Sequence, residues 1–282
     1  VTTYRSSTAV EGLAFPEGPR WHAGRLWLTD QHARAILKVD PAGAVETVAP
    51  TDDLPGGLGW LPDGRLLVVF MTQRRVMQLA GRGLVEYADL SAHASFHCND
   101  MVVDALGRAY VGNFGFDLHG GDEIAPAEII RIDCDGSVEV FAQDLVFPNG
   151  SVLTPSADTL LVAETFANRI SAFGLDARGR MTSRRVWADL GEQTPDGICM
   201  DAEGALWVSS PATKTLTRVR RGGIVLDRCT TRGTPYACML GGSDRRTLFV
   251  CTAETDDPKQ AARLRTGRIE QVRVGVAGAG LP

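Results

Sequence analysis

Residues 198–209, Ile198-Cys-Met-Asp-Ala-Glu-Gly-Ala-Leu-Trp-Val-Ser209, decide the architecture, because the same pattern returns five more times along the chain. An apolar run leads into a turn of Asp, Gly or Pro, and a short aromatic or β-branched run follows. The other copies are Pro19–Thr29, Leu58–Val69, Met101–Gly112, Ser151–Ala163 and Cys238–Cys251. Turn residues between two such runs are what a tight β-hairpin requires. A third, alternating segment follows each copy, at 35–39, 75–79, 129–132, 169–173, 216–219 and 268–272. Period-two alternation marks a strand with one buried face. Weaker fourth strands are expected at 45–48 and 138–141.

The second-strand anchors Trp27, Leu67, Tyr110, Leu161, Trp207 and Phe249 lie 40, 43, 51, 46 and 42 residues apart. A period in the forties, with three to four strands per unit, is the signature of propeller blades. The expectation is an all-β, six-bladed β-propeller forming one domain over residues 1–282. The longest spacing holds a polar, Gly-rich insertion, Phe114-Gly-Phe-Asp-Leu-His-Gly-Gly-Asp-Glu-Ile-Ala-Pro-Ala-Glu128. Long loops on rigid scaffolds tend to carry function.

Composition narrows the partners. The 282 residues are 44% hydrophobic, and 29 Lys+Arg against 34 Asp+Glu give a net charge of -5 without long runs. No basic stripe offers itself to phosphates, so nucleic acid is not an expected partner. The longest strongly apolar stretch, Leu66–Met71, falls far short of the ~20 residues a membrane span needs. No charged-then-apolar leader precedes the first repeat, although the chain begins at Val1 rather than methionine. The six cysteines form no C-x-x-C pair or zinc module, and a reduced, cytoplasmic protein, monomeric or weakly self-associating, is the expectation.

Aligning the repeats also shows which positions are equivalent in space. Counting back from each anchor to the residue that opens the innermost strand reaches Glu17, Gly57, Asn99, Asn149, Asp196 and Tyr236. Innermost strands line the central channel of a propeller, so these residues should meet at one mouth. Pro-Asn-Gly and Pro-Asp-Gly are also ordinary turn sequences, in which Asn or Asp caps its own backbone. Three copies share Pro-[Glu/Asn/Asp]-Gly while varying only among oxygen ligands, and a turn alone would not favour Glu. Oxygen donors of this kind suit a hard divalent cation.

At these residues the chain resembles the SMP-30/gluconolactonase/luciferin-regenerating enzyme family. The resemblance runs from Glu11-Gly-Leu-Ala-Phe-Pro-Glu-Gly-Pro-Arg-Trp21 to Val272 and rests on Cys98-Asn-Asp100, Phe147-Pro-Asn-Gly150, Ala163-Glu-Thr165 and Pro195-Asp-Gly197. It implies one divalent cation held by Glu17, Asn149 and Asp196, with Ca²⁺ the first choice and Mn²⁺, Mg²⁺, Zn²⁺ or Fe²⁺ the others. It also implies lactone hydrolysis, with Asn99 beside the metal holding substrate. His97 departs from the arginine that sugar-lactone-hydrolysing members commonly carry there. With Phe15, Phe114, Phe116, Phe147 and Tyr236 expected at the mouth, that departure points to a less polar lactone or ester.

The resulting expectation is a metal-dependent lactonase in which the cation polarises the carbonyl and Asp196 is the candidate general base. Asn99, His97, Asn113, Phe116 and Tyr236 are the expected substrate contacts, with Asp117 and His119 nearby. His22, His32 and His93 read as solvent or turn histidines, Cys98 as a packed core thiol, and Glu164 and Glu254 as polar strand ends. The absence of a Gly-x-Ser-x-Gly elbow argues against a serine hydrolase. An esterase or a lyase/cyclase on the same scaffold, and a binding platform with a structural cation, are the alternatives.

Overall fold

The second strand of each repeat is sandwiched between neighbouring blades, and its residues are buried accordingly. Leu66–Phe70 and Leu206–Ser210 are buried at every position. Outer strands face water, and 181–186 in Met181–Asp189 is exposed throughout. This gradient explains why the hairpins were legible and the fourth strands faint, since only a doubly covered strand reads as a continuous apolar run. Of the six anchors, Leu67, Tyr110, Leu161 and Trp207 are buried. Trp27 and Phe249 are half-buried; the first packs edge-on against Trp60 and the second stacks on Trp21.

The computed structural model describes residues 1–81 and 83–280. Within them the strands form six sheets, each running outward from an innermost strand as an antiparallel meander. In chain order the innermost strands are Pro16–His22, Pro55–Trp60, Cys98–Val103, Pro148–Leu153, Ile198–Met200 and Thr234–Gly241. We number the blades 1 to 6 from these strands. The predicted third strands all occur, the first as Ala35–Val39 and the last as Gly267–Arg273.

The chain termini do what the repeats alone did not reveal. Ser7–Leu13 pairs antiparallel with Gly267–Arg273, from Ser7 opposite Gln271 to Leu13 opposite Gly267, and becomes the outermost strand of blade 6. Thr2–Arg5 adds a fifth strand to blade 5, parallel to Ile224–Thr230. The first and last segments of the chain thereby share sheets, and the ring closes. A short helix, Pro258–Leu264, interrupts blade 6, with Asp257 capping it by accepting the Gln260 N–H at 2.7 Å. Its buried Ala261 packs with Phe15 and Tyr236. All six cysteines are free thiols, five of them buried.

Buried carboxylates tie the blade junctions. Asp30 accepts the N–H groups of Ala14 and Phe15, and Glu164 accepts that of Val146 together with the Arg169 guanidinium. Glu270, fully buried, accepts from Arg232 N–H, Gly233 N–H at 3.0 Å, Thr252 Oγ1 at 2.8 Å and Ser6 Oγ. It therefore joins the N-terminal strands to the start of blade 6. Burial disfavours ionisation of Glu270, but these donors together outweigh it and hold the carboxyl below the usual glutamate range.

A carboxyl depressed on folding stabilises the protein above its unfolded-state pKa, and this contribution fades as pH falls through the folded value. Replacing Glu270 with Gln leaves buried N–H groups facing an amide that is partly a donor. Urea unfolding should show E270Q less stable by about 3 kcal/mol at pH 7. The difference should shrink between pH 5 and pH 3, the window around and below the ordinary carboxyl value of 4.5.

Candidate functional site

The innermost strands do not run smoothly past the channel. In blades 1, 3, 4 and 6 the ladder to the second strand breaks between Glu17 and Arg20, Cys98 and Met101, Pro148 and Ser151, and Pro235 and Ala237. Glu17, Asn99, Asn149 and Tyr236 all sit at these breaks. A bulge bends the strand and re-aims a side chain, and proline fits there because it has no N–H to give to the ladder. In blade 5 Asp196 precedes the ladder altogether, held by its N–H to Ser209 O at 2.9 Å. The Pro-x-Gly sequences are thus strand-opening bulges in blades 1 and 4 and the approach to the inner strand in blade 5, rather than solvent turns.

The glycines after Asn149 and Asp196 have their own purpose. A Cβ on Gly150 would come within 2.6 Å of Asp196 O, and one on Gly197 within 2.5 Å of the Ala237 Cβ. Their N–H groups donate to the next blade, Gly150 to Asp196 O at 3.2 Å and Gly197 to Tyr236 O at 2.8 Å. Only glycine lets these backbones meet, and their contact sets Asn149, Asp196 and Tyr236 side by side. Gly57 does not itself line the site; its missing side chain makes room for Asp100.

Glu17, Asn99, Asn149, Asp196 and Tyr236 open onto one cavity of about 710 Å³ at the channel mouth. Two carboxyls converge there. Desolvation raises the Glu17 carboxyl to about 8, with Asp100 adding to the rise and the Gly18 N–H and Arg20 opposing it. Asp196 is pushed well above its usual value by burial first, then by Glu17 and Asp100. Beneath them Arg20 is buried and fully engaged: it pairs with Asp100 at 2.6 Å and donates to the carbonyls of Pro19, Leu58 and Met101. Among the described residues neither Glu17 nor Asp196 has an ion-pair partner of its own.

That donor set fits a hard cation. Two carboxyls and an amide oxygen meet where negative charge is unbalanced, with neither thiolate nor imidazole among the three. The Asn149 amide donates to Thr165 Oγ1 at 3.2 Å, which leaves its oxygen free. Among the described residues no group of three or more His, Cys, Asp or Glu side chains has metal-holding geometry. The set here has only two side chains of those types and would need water or substrate to complete coordination.

The other expected residues divide. His97 lines the cavity, stacked on Phe96 at 4.1 Å, and Asp117 and His119 of the insertion line it too. Asn113 does not reach it and must be reassigned. It is fully buried, donates to Glu128 O and Oε2 and accepts from the Gly115 N–H. Its amide is consumed in pinning the base of the insertion. Phe116 is likewise buried behind the wall, against Phe147 at 5.7 Å and Phe166 at 5.8 Å.

His32, read from the sequence as a solvent or turn residue, faces the cavity from the short 3₁₀ turn Gln31–Ala33, its ring 5.1 Å from Phe15. The signal available was its place just after a second strand, the position that Thr165 and Phe166 hold in blade 4. Cys98 is fully buried with its thiol raised to about 12, so it is core. Glu164 is also buried, and Glu254 pairs with Arg268 at 2.9 Å. No helix among the described residues is long and apolar enough to cross a membrane.

Known proteins resemble the chain in sequence and in fold. Pentonolactonase XacC of Haloferax volcanii is 27% identical over 85% of this chain and 82% of its own. The 6-deoxy-6-sulfogluconolactonase of Pseudomonas putida is 25% identical over 94% of this chain and 93% of its own. Among solved structures, the calcium-binding protein regucalcin of Agrobacterium tumefaciens superposes with a TM-score of 0.83 at 21% identity, covering 100% of this chain and 98% of that one. The sequence profile of the SMP-30/gluconolactonase/LRE-like region matches residues 15–254, and the chain belongs to that family.

Proposed function

We propose that this protein is a divalent-cation-dependent lactonase that opens a small cyclic ester to its hydroxy acid. The observation that carries the reading is that Glu17, Asn149 and Asp196 line one cavity, two desolvated carboxyls and an amide without an ion-pair partner. The lactonase names of the two relatives support the reaction class. When bound, a cation would keep both carboxyls ionised and polarise the lactone carbonyl.

The chain's own residues supply the rest. Asp196 has two carboxylate oxygens, so one can ligate while the other aligns a water and takes its proton as the water attacks the carbonyl carbon. The ring C–O bond then breaks, and the departing oxygen takes up the proton that Asp196 accepted from the water. Asn99 lines the same cavity, its amide only loosely held at 3.4 Å from Pro148 O, and is free to turn toward the ester. The Tyr236 phenol is raised above its ordinary value by burial first and then by Asp256, Asp196 and Glu17. It stays protonated and can donate a hydrogen bond to substrate. Phe15 braces its ring at 4.7 Å.

Two measurements test this. Adding Ca²⁺ or Mn²⁺ at a hundred times its dissociation constant should stabilise the wild type by about 2.7 kcal/mol, read as a rise in melting temperature. Glu17→Gln should lose most of that rise. A cation that stabilises the protein but leaves a broad lactone panel unhydrolysed would identify a structural ion instead.

The second is kinetic. Asp196→Ala should lower cation-dependent lactone hydrolysis at least ~100-fold, the scale of a lost general base. Cys98→Ala should stay within about threefold of wild type per folded molecule, as expected for a residue that only packs. Retained activity in Asp196→Ala removes the assignment.

A further inference from the structure

We propose that the cavity is built for neutral lactones bearing apolar substituents and rejects lactones that carry a negative charge, a substrate class that rests on the lactonase reading above. The charges of the wall point one way. Glu17, Asp196, Asp117 and Asp256 all line the cavity, and among the described residues no Arg or Lys does. One divalent cation on the floor would still leave the wall net negative. The guanidinium that acts on Glu17, Arg20, is buried, with Asp100 and three carbonyls as its partners, so it is not available to an anionic substrate. Recognition of a carboxylate, sulfonate or phosphate normally calls for an Arg or Lys side chain.

Two of the three histidines on the cavity, His97 and His32, do not replace that missing cation. Burial lowers the pKa of His97 and His32, with Asp117 opposing this at the first and Asp30 and Asp256 at the second. Both rings are then mainly neutral near pH 7 and present hydrogen-bonding or stacking faces rather than charge.

Apolar surface fills the space that charge does not. Phe114 packs on Phe147 at 4.3 Å, and Phe166 meets Phe147 edge-on at 5.1 Å, forming one wall from blades 3 and 4. Phe15 and Tyr236 form the facing wall from blades 1 and 6. Blades 3 and 4 lie across a six-membered ring from blades 6 and 1, so a ligand at the mouth sits between two aromatic surfaces. Hydroxyls laid against these ring faces would lose water without gaining a partner from the rings, whereas an alkyl or aryl substituent gains from the same burial.

The test uses γ-lactones that share one ring and differ only in substituent: phenyl or alkyl, polyhydroxyalkyl, and carboxylate. Turnover is measured with Ca²⁺ and with Mn²⁺. In parallel, binding of the matching, unreactive lactams is measured by calorimetry on the same cation-loaded protein. The phenyl or alkyl lactone should exceed the polyhydroxyalkyl one in kcat/KM and the carboxylated one by at least about 30-fold, and the lactams should bind in the same order. The gap should narrow as salt is raised. His97→Arg should bring the carboxylated ligand at least about tenfold closer to the neutral one. Equal or tighter binding of the carboxylated lactam overturns the proposal. If no lactone is hydrolysed but the lactam order holds, the hydrolase reading fails while the charge and polarity preference of the cavity stands.

Discussion

Closure of the ring is the constraint from which everything else in this molecule follows. An open row of six blades would leave one face of blade 1 and one face of blade 6 uncovered and would not bring the two together. Ser7–Leu13 prevents that by pairing with Gly267–Arg273 across nearly the whole length of the chain. The cost of closing so long a loop grows only slowly with its length, and a full ladder of hydrogen bonds plus a buried cluster offsets it. Val10, Leu13, Leu248, Val250 and Ile269 belong to that cluster. Once the ring is closed, Glu17 of blade 1 has Asp196 of blade 5 and Tyr236 of blade 6 as neighbours.

That neighbourhood is electrostatically unfavourable by itself. Two carboxyls share a poorly solvated floor with Asp100 close by, and burial raises their proton affinity before any mutual repulsion is counted. The fold tolerates this because Arg20 and Asp100 neutralise one another just below, and because Gly150 and Gly197 bring the inner strands into direct backbone contact. The contrast with Glu164 and Glu270 is instructive. Those carboxyls are also buried, yet each has several donors that hold its pKa below the usual range. Carboxylates that build the fold are saturated with hydrogen bonds, and those in the cavity lack enough donors to offset their burial.

The legibility of the site followed the same division. Glu17, Asn99, Asn149, Asp196 and Tyr236 could be found because repeat equivalence maps directly onto the ring, and all five line the cavity. His97 could be found because it sits two residues before Asn99 in an inner strand's approach. Asn113 could not be judged, since nothing in a linear pattern shows that Glu128, fifteen residues away, captures its amide. Phe116 and His32 were exchanged for a similar reason. An insertion can turn one aromatic ring inward and another outward, and a 3₁₀ turn can swing a histidine from solvent into the mouth.

The sequence by itself determined the number of blades, the hairpins and the ring of inner positions, because each depends on local alternation, turn chemistry and a repeat that fixes equivalence. It also carried the Pro-x-Gly signal that re-aims these side chains, although the reason, a close interblade approach at glycine, emerged only in three dimensions. The tertiary structure alone decided how the ring closes, which residues of the insertion and of the Pro258–Leu264 segment reach the mouth, and that no cationic side chain among the described residues lines the wall. Those outcomes depend on contacts between segments far apart in sequence, where geometry rather than residue type determines which side chain meets which.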